Sequence, residues 1–233
     1  MMLPSPVRRD RCVQCERPQS TCICRWITPT ENRVEVLLLQ HPLEAHNAKG
    51  SARLLQLSLL RSRMATAEIF ADATLQALLF EPFEPDGTSP HGGTQAILLY
   101  PSTPEDEDLS ASLRPTLTAA MRVDLTRLRL IVIDGTWRKS RKMLHLSPLL
   151  QRLPRLSLND VPASRYQIRK AHGADQLSTL EATCLALMQL EADAAKFQPL
   201  LTAFDGFVTQ QLAQRDAGVA GGPKFRKDTP ASG

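Results

Sequence analysis

The chain has 233 residues, enough to bury a full hydrophobic core in one α/β domain with a small appendage. Its 28 Lys+Arg against 24 Asp+Glu give a mild positive charge, which by itself does not argue for nucleic acid. No apolar stretch is long enough to span a bilayer, and residues 1–10 lack the apolar core of a secretion signal. We therefore expect a cytoplasmic enzyme.

Four of the five cysteines lie within thirteen residues, as Cys12-x-x-Cys15 and Cys22-x-Cys24. Two short-spaced thiol pairs suit a tetrahedral zinc ion, since each pair forms a tight turn that presents both sulfurs. Disulfides and a redox Cys-x-x-Cys are the alternatives. A reducing cytosol disfavours disulfides, and a redox pair does not need the second pair of cysteines. We predict a zinc-binding segment over residues 1–32.

Apolar strands alternate with helical stretches along the rest of the chain. Strands are predicted at residues 33–40, 65–70, 94–100, 128–133 and 155–158, and helices at 48–60, 75–80, 138–145, 178–193 and 199–214. Because the strands are apolar on both faces, they predict an α/β fold with a mostly parallel sheet and helices on both faces. This domain is expected to span residues 33–216, with a disordered tail at 217–233.

The predicted strand at 128–133 ends on Asp134-Gly135-Thr136-Trp137. A carboxylate and a turn at the carboxyl end of a buried strand lie where open α/β sheets bind their ligands. The helix that follows carries cations at helical spacing: Arg138, Arg141, Lys142 and His145. A carboxylate beside a basic helix indicates a site that works on a polyanion.

Asp134 has two other interpretations. Asp at a helix start accepts backbone N–H groups, so Asp134 is also a candidate cap for the helix after it. Phosphatases and dehalogenases with an aspartyl nucleophile carry a strand-end Asp-x-Asp-Gly-Thr, in which the first Asp attacks. Val132 occupies that first position here, which disfavours covalent aspartyl chemistry.

Three further motifs lie at the ends of predicted elements: His41-Pro42-Leu43-Glu44, Tyr100-Pro101-Ser102 and Ser178-Thr179-Leu180-Glu181. Each has a structural interpretation, since His41 can be a turn residue and the last motif is a capping box. Each also follows an apolar strand or lies beside the segment Arg165-Tyr166-Gln167-Ile168-Arg169-Lys170. We therefore expect them to converge on one pocket.

Together, the cysteine segment with Arg17-Pro18 between its pairs and these motifs resemble the DTW-domain family, over roughly residues 12–214. The chain departs from that family at Lys49-Gly50-Ser51, where many members have an Asn-Thr pair. The resemblance implies a tRNA-uridine aminocarboxypropyltransferase, which uses S-adenosylmethionine to make 3-(3-amino-3-carboxypropyl)uridine. It also implies a SPOUT-like sheet with a trefoil knot that holds the cofactor. No Gly-x-Gly-x-x-Gly is present, so a standard Rossmann methyltransferase is a poor fit.

The resemblance also implies roles for individual residues. Asp134 is the predicted catalytic residue, which accepts the uridine N3 proton or orients the base and favours the sulfonium. The predicted cofactor-binding residues are Tyr100, Pro101, Ser102, Gly135, Thr136, Trp137, Ser178, Thr179 and Glu181. The predicted substrate-binding residues are His41, Glu44, Ser51, Arg138, Arg141, Lys142, Arg165, Tyr166, Arg169 and Lys170.

The expected partner is tRNA, bound by a monomer that has no obligate protein partner and no membrane contact. Zinc is expected to be structural and S-adenosylmethionine the co-substrate. Two rival functions stay open: an RNA methyltransferase of the same broad fold, and a non-catalytic zinc-dependent RNA-binding protein.

Overall fold

A parallel sheet forms the centre of the protein. The computed structural model describes residues 10–45, 47, 49–83, 93–101, 124–158 and 177–220. Within them, five strands form one sheet in the order β2-β1-β4-β3-β5, and every neighbouring pair is parallel. The strands are β1 (Glu35–Gln40), β2 (Ser62–Thr66), β3 (Gln95–Leu99), β4 (Leu128–Asp134) and β5 (Arg155–Leu156).

Helices cover both faces of the sheet, which confirms the predicted α/β architecture. They are α1 (Ala52–Ser58), α2 (Asp72–Phe80), α3 (Trp137–His145), α4 (Pro148–Gln151), α5 (Thr179–Glu191) and α6 (Ala194–Ala220). The apolar side chains of α1, α5 and α6 form one core cluster with one face of the sheet, and those of α2, α3 and α4 form a second cluster with the other face. In this part of the chain, no helix has the length and apolarity needed to cross a bilayer.

Three predicted elements differ from the structure. β2 lies at Ser62–Thr66 instead of 65–70, because it is a half-exposed edge strand with little apolar signal. α6 begins at Ala194, before the predicted start at Pro199, since the buried Phe197 holds the extra turn in the core. α1 is shorter than predicted, and α4 was not predicted.

The other predicted strands and helices are present, with ends shifted by a few residues. The predicted boundary at residue 217 falls inside α6, which continues to Ala220. Residues 221–233 lie outside the described part of the chain. The division into three domains stays a prediction.

Alternation along β4 decides which way its last side chain points. Leu130 and Val132 pack in the cluster of α5 and α6, whereas Ile131 packs in the cluster of α2 and α3. Successive side chains of a strand point to opposite faces, so Asp134 lies on the α5 side. Gln40 continues the same face of β1 after Val36 and Leu38.

The cysteine segment packs against α6. Gln210 joins them twice, since its Oε1 accepts from Trp26 Nε1 (2.5 Å) and its Nε2 donates to the Cys22 carbonyl (3.1 Å). One turn earlier in α6, Gly206 lies under the Trp26 ring. A Cβ atom at this position would overlap the carbon atoms of that ring. The absence of a side chain at Gly206 therefore sets how closely Trp26 approaches α6.

We expect Gly206→Ala to destabilise the protein. In a helix interior this change ordinarily stabilises by roughly 0.5–1 kcal/mol, because glycine costs more backbone entropy. Here the added methyl meets the Trp26 ring, and overpacking of that kind costs about 1–3 kcal/mol. Urea denaturation of the single and double variants measures the change in the free energy of unfolding. In a Trp26→Ala background, Gly206→Ala should become neutral or stabilising, and the same loss in both backgrounds would contradict this account.

Candidate active site and metal centre

The chain diverges at the carboxyl ends of β1 and β4. These strands are neighbours, but the chain leaves β1 toward β2 on one side and leaves β4 toward β5 on the other. In open α/β sheets such a switch point opens the crevice that binds ligands. The His41 N–H donates to the Asp134 carbonyl at 2.9 Å, so we expect the crevice directly beyond these two residues.

Asp134 is a buried acceptor at this switch point. Only 4% of its surface is exposed. Its Oδ2 accepts from Gln40 Nε2 at 2.9 Å, and its Oδ1 accepts from Thr179 Oγ1 at 2.6 Å. The carboxylate therefore joins β1, β4 and the start of α5. The interpretation of Asp134 as a helix cap is wrong, since α3 has Thr136 at its N-cap position and both carboxylate oxygens turn to the opposite face of the sheet.

The start of α5 is held firmly beside Asp134. Ser178 and Glu181 form the predicted capping box: Ser178 Oγ accepts from the Glu181 N–H at 3.2 Å, and Glu181 Oε2 accepts from the Ser178 N–H at 2.8 Å. The Ser51 hydroxyl accepts from the Leu180 N–H at 3.3 Å, which ties α1 to the same turn. These contacts position Thr179, which is partly exposed, over the buried carboxylate.

His41 lies in a hydrogen-bonded bridge at the rim of the crevice. Its Nδ1 accepts from the Leu43 N–H at 3.2 Å, so its Nε2 carries the proton that is donated to Glu68 Oε1 at 3.1 Å. Lys142 of α3 contacts the same oxygen at 2.9 Å. The hydrogen bonds from Lys142 and then from His41 lower the pKa of Glu68. His41 is therefore a bridging residue and not a free base.

Glu44 is the second buried carboxylate at this edge, and it has a cationic partner. Its Oε1 accepts from Lys139 Nζ at 2.8 Å, and its Oε2 accepts from Asn47 Nδ2 at 2.8 Å. The adjacent turn is tight, because a Cβ at Gly135 would lie 3.2 Å from that of Lys139. The Lys139–Glu44 pair fixes α3 against the turn that follows β1.

Two aromatic rings stack at the ends of β3 and β4. The Tyr100 and Trp137 rings have centroids 5.3 Å apart and an angle of 16° between their planes. Tyr100 is buried, whereas Trp137 is 46% exposed. Next to them, the Pro101 carbonyl accepts from Arg155 at 3.4 Å. Trp137 thus presents a supported, partly open aromatic surface beside the crevice.

The predicted cations of α3 are on its solvent side: Arg138, Arg141, Lys142 and His145 are all exposed. They lie at helical spacing and share one face, as predicted. Five other predicted site residues lie outside the described part of the chain: Ser102, Arg165, Tyr166, Arg169 and Lys170.

Three residues of this site were not predicted as site residues from the sequence. Gln40 is the last residue of β1, directly before His41, and it is buried. A polar residue at the end of an apolar run was the available signal. Glu68 and Lys139 had no such signal, because each acquires its role only through a partner from another element.

The four predicted thiols form a candidate metal centre. All four sulfurs lie within 4.8 Å of one another. Cys12 and Cys24 are 3.4 Å apart, and Cys15 and Cys22 are 3.8 Å apart. Tetrahedral zinc with bonds near 2.3 Å needs sulfurs about 3.8 Å apart. The backbone N–H groups of Cys15 and Gln14 lower the pKa of Cys12 to about 6, whereas burial and the neighbouring Cys12 thiol raise the pKa of Cys24.

A family model described as the DTW domain matches residues 9–212. The chain belongs to the DTW domain family. The resemblance inferred from the motifs is therefore confirmed, and the strand-end motif Asp134-Gly135-Thr136-Trp137 of this DTW chain lies at the switch point of its sheet.

Similar curated proteins carry the name tRNA-uridine aminocarboxypropyltransferase. The chain is 31% identical over 196 residues to tRNA-uridine aminocarboxypropyltransferase 2 of Drosophila melanogaster, an alignment that covers 79% of this chain and 68% of that protein. It is 24% identical over 207 residues to the Macaca fascicularis protein of the same name, covering 88% and 64%. For tRNA-uridine aminocarboxypropyltransferase A of Arabidopsis thaliana the identity is 27% over 151 residues, covering 62% and 54%. No solved structure matches this DTW chain.

We expect Thr179→Val to destabilise this DTW chain by about 1–3 kcal/mol, because it leaves a buried oxygen of Asp134 without its donor. Thr183→Val is the matched control. Its hydroxyl donates to the Thr179 carbonyl within α5, so its loss should cost less than about 1 kcal/mol. Urea denaturation of both variants measures the difference, and equal losses would argue against a structural role for the Asp134 contact.

Proposed function

We propose that this protein transfers the 3-amino-3-carboxypropyl group of S-adenosylmethionine to N3 of a uridine in tRNA. The position of the DTW motif supports the proposal: it lies at the switch point of the sheet, where Asp134 accepts from Thr179 and Trp137 stacks on Tyr100. The names of the related proteins support the same reaction.

We propose that residues at the crevice bind S-adenosylmethionine. The stacked Tyr100–Trp137 pair offers a partly open aromatic face for the adenine ring. We assign Pro101, Gly135 and Thr136 to main-chain contacts with the nucleoside, with Ser102 at the end of the same segment. Ser178 and Glu181 act through Thr179, because their capping box holds the turn in which it lies.

The charge of Asp134 fits the sulfonium of this co-substrate. Glu44 and Glu35 each contact a cationic side chain, whereas the hydrogen bonds of Asp134 within the described residues come from a neutral amide and a neutral hydroxyl. The negative charge of Asp134 is therefore stabilised in place without being neutralised. In a site of low dielectric, such a charge attracts a cationic ligand strongly.

We infer that Thr179 and Asp134 together take the N3 proton. S-adenosylmethionine supplies the electrophile, a γ-carbon bonded to the sulfonium, and methylthioadenosine is released as the N3–C bond forms and the C–S bond breaks. Asp134 is buried and both of its oxygens are occupied, so Thr179 is the member of the pair that faces the crevice. As N3 gives its proton to Thr179 Oγ1, the hydroxyl proton of Thr179 passes to Asp134 Oδ1.

For the tRNA substrate, we propose that the exposed cations of α3 contact phosphates. Arg165, Tyr166, Arg169 and Lys170, from the predicted basic segment, are proposed to extend this contact. His41, Glu44 and Ser51 support the substrate side of the crevice through their contacts with Glu68, Lys139 and Leu180.

The reaction is tested with purified protein, an unmodified tRNA transcript and S-adenosylmethionine. We expect nucleoside mass spectrometry to detect aminocarboxypropyluridine with an equal amount of methylthioadenosine. Methyluridine with S-adenosylhomocysteine would instead show a methyltransferase. tRNA binding without any modified nucleoside would show a non-catalytic RNA-binding protein.

Variants of the Asp134–Thr179 pair test the proton path. Asp134→Asn and Thr179→Val should each lower the transfer rate by about 10²-fold or more, whereas Thr179→Ser keeps the hydroxyl and should retain most of the activity. Asp124→Asn is the matched control, because Asp124 lies just before the opposite end of β4 and bonds only locally to Thr126 in this region. Full activity in Asp134→Asn, with normal cofactor binding, would disprove the assignment.

We propose that the four cysteines hold a structural Zn²⁺. Cys15 is buried in the same core cluster as α6, so a metal there would join the segment to the domain. We expect elemental analysis to find one zinc per chain. Cys15→Ser should lose the zinc and lower the midpoint of thermal unfolding. Cys184→Ser changes a buried cysteine that is not one of these four and should keep the zinc. Retention of zinc by Cys15→Ser would contradict the assignment.

A further inference from the structure

Two large apolar side chains are exposed beside the crevice. Leu43, in the turn after β1, is 73% exposed, and Ile69, in the loop after β2, is 58% exposed. Both lie at the carboxyl edge of the sheet, since they directly follow neighbouring parallel strands. Apolar side chains that group at a functional edge indicate a contact surface more strongly than scattered ones do.

A hydrogen-bonded bridge connects the two positions. The His41 ring accepts from the Leu43 N–H on one side and donates to Glu68, the neighbour of Ile69, on the other. Lys142 of α3 contacts the same Glu68 oxygen at 2.9 Å. Leu43 and Ile69 therefore flank one bridge, and the exposed cationic face of α3 adjoins it.

We propose that Leu43 and Ile69 form a surface that contacts unstacked bases of the RNA close to the modified uridine. This inference rests on the proposed function and adds residues that recognise bases instead of phosphates. Single-stranded loops are bound through their exposed bases as well as their backbone, and an apolar surface beside cations offers both contacts.

Charge favours RNA over a protein partner or a second copy of the chain. The neighbouring cations Arg138, Arg141 and Lys142 are exposed, and they outnumber Glu68, the carboxylate that Lys142 contacts, so the surroundings of the surface attract a polyanion. A symmetric dimer through this surface would bring the two α3 helices and their like charges toward each other, which opposes association.

The test compares tRNA affinity in a double variant, Leu43→Ser with Ile69→Ser, and in the control Leu60→Ser. Leu60 is 63% exposed but lies directly before β2, at the opposite edge of the sheet. We expect the double variant to bind an unmodified tRNA transcript roughly three- to tenfold more weakly, because apolar contact area with the bases is lost. The control should bind like the unaltered protein.

Salt dependence separates base contacts from phosphate contacts. The double variant should keep the slope of log affinity against log salt, whereas Arg141→Gln should reduce that slope by about 1. Binding to a fully paired RNA duplex, whose bases stay stacked, should be unchanged in the double variant.

Three results would overturn the inference: equal tRNA affinity in the double variant and the unaltered protein, an equal loss with the duplex, or a change in oligomeric state with tRNA affinity preserved. Thermal unfolding and the two single variants check that an affinity loss is not a folding defect. If the unaltered protein failed to bind tRNA at all, the proposed function itself would be disproved.

Discussion

The buried carboxylate of Asp134 is the contact on which the functional edge of this protein depends. Its two oxygens accept from Gln40 on β1 and Thr179 on α5, while its own backbone ends β4. A buried carboxylate that lost either donor would be costly, so the three elements are held in one arrangement. The crevice, the aromatic stack and the start of α3 all follow from where β4 ends.

Two buried charges near opposite ends of the sheet, Arg129 and Asp134, have different kinds of partner. Near the amino ends of the strands, the fully buried Arg129 donates twice to Glu35 and also to the Leu78 and Glu81 carbonyls at the end of α2. That pair is internally neutralised and structural. At the carboxyl ends, the Asp134 carboxylate bonds, within the described residues, to two neutral donors, Gln40 and Thr179. A charge held this way suits a cationic ligand, which agrees with the proposed co-substrate.

The cysteine segment packs against the helices that cover one face of the sheet. Cys15 and Ile23 pack in the core cluster of α5 and α6, and Trp26 lies on Gly206. Arg17 reaches further, since it donates to the Gly50 carbonyl next to Ser51, whose hydroxyl binds the start of α5. A metal in this segment would therefore support, through these contacts, the turn that presents Thr179.

The sequence alone determined the motifs and their places at strand ends. Long apolar runs such as Leu128–Asp134 have a clear local signal, and the family resemblance read from the motifs was confirmed. The edge strand β2 was misplaced because its residues are only partly buried and its apolar pattern is weak. The capping box at Ser178 was also predictable, since both partners lie within one helical turn.

Only the tertiary structure decided what Asp134 does. Its partners lie 94 and 45 residues away in the chain, and they meet it because the sheet places β1 beside β4 and packs α5 on the matching face. The same holds for the His41–Glu68–Lys142 bridge and the Lys139–Glu44 pair. Strand order and helix placement come from long-range packing, which no local pattern of residues encodes.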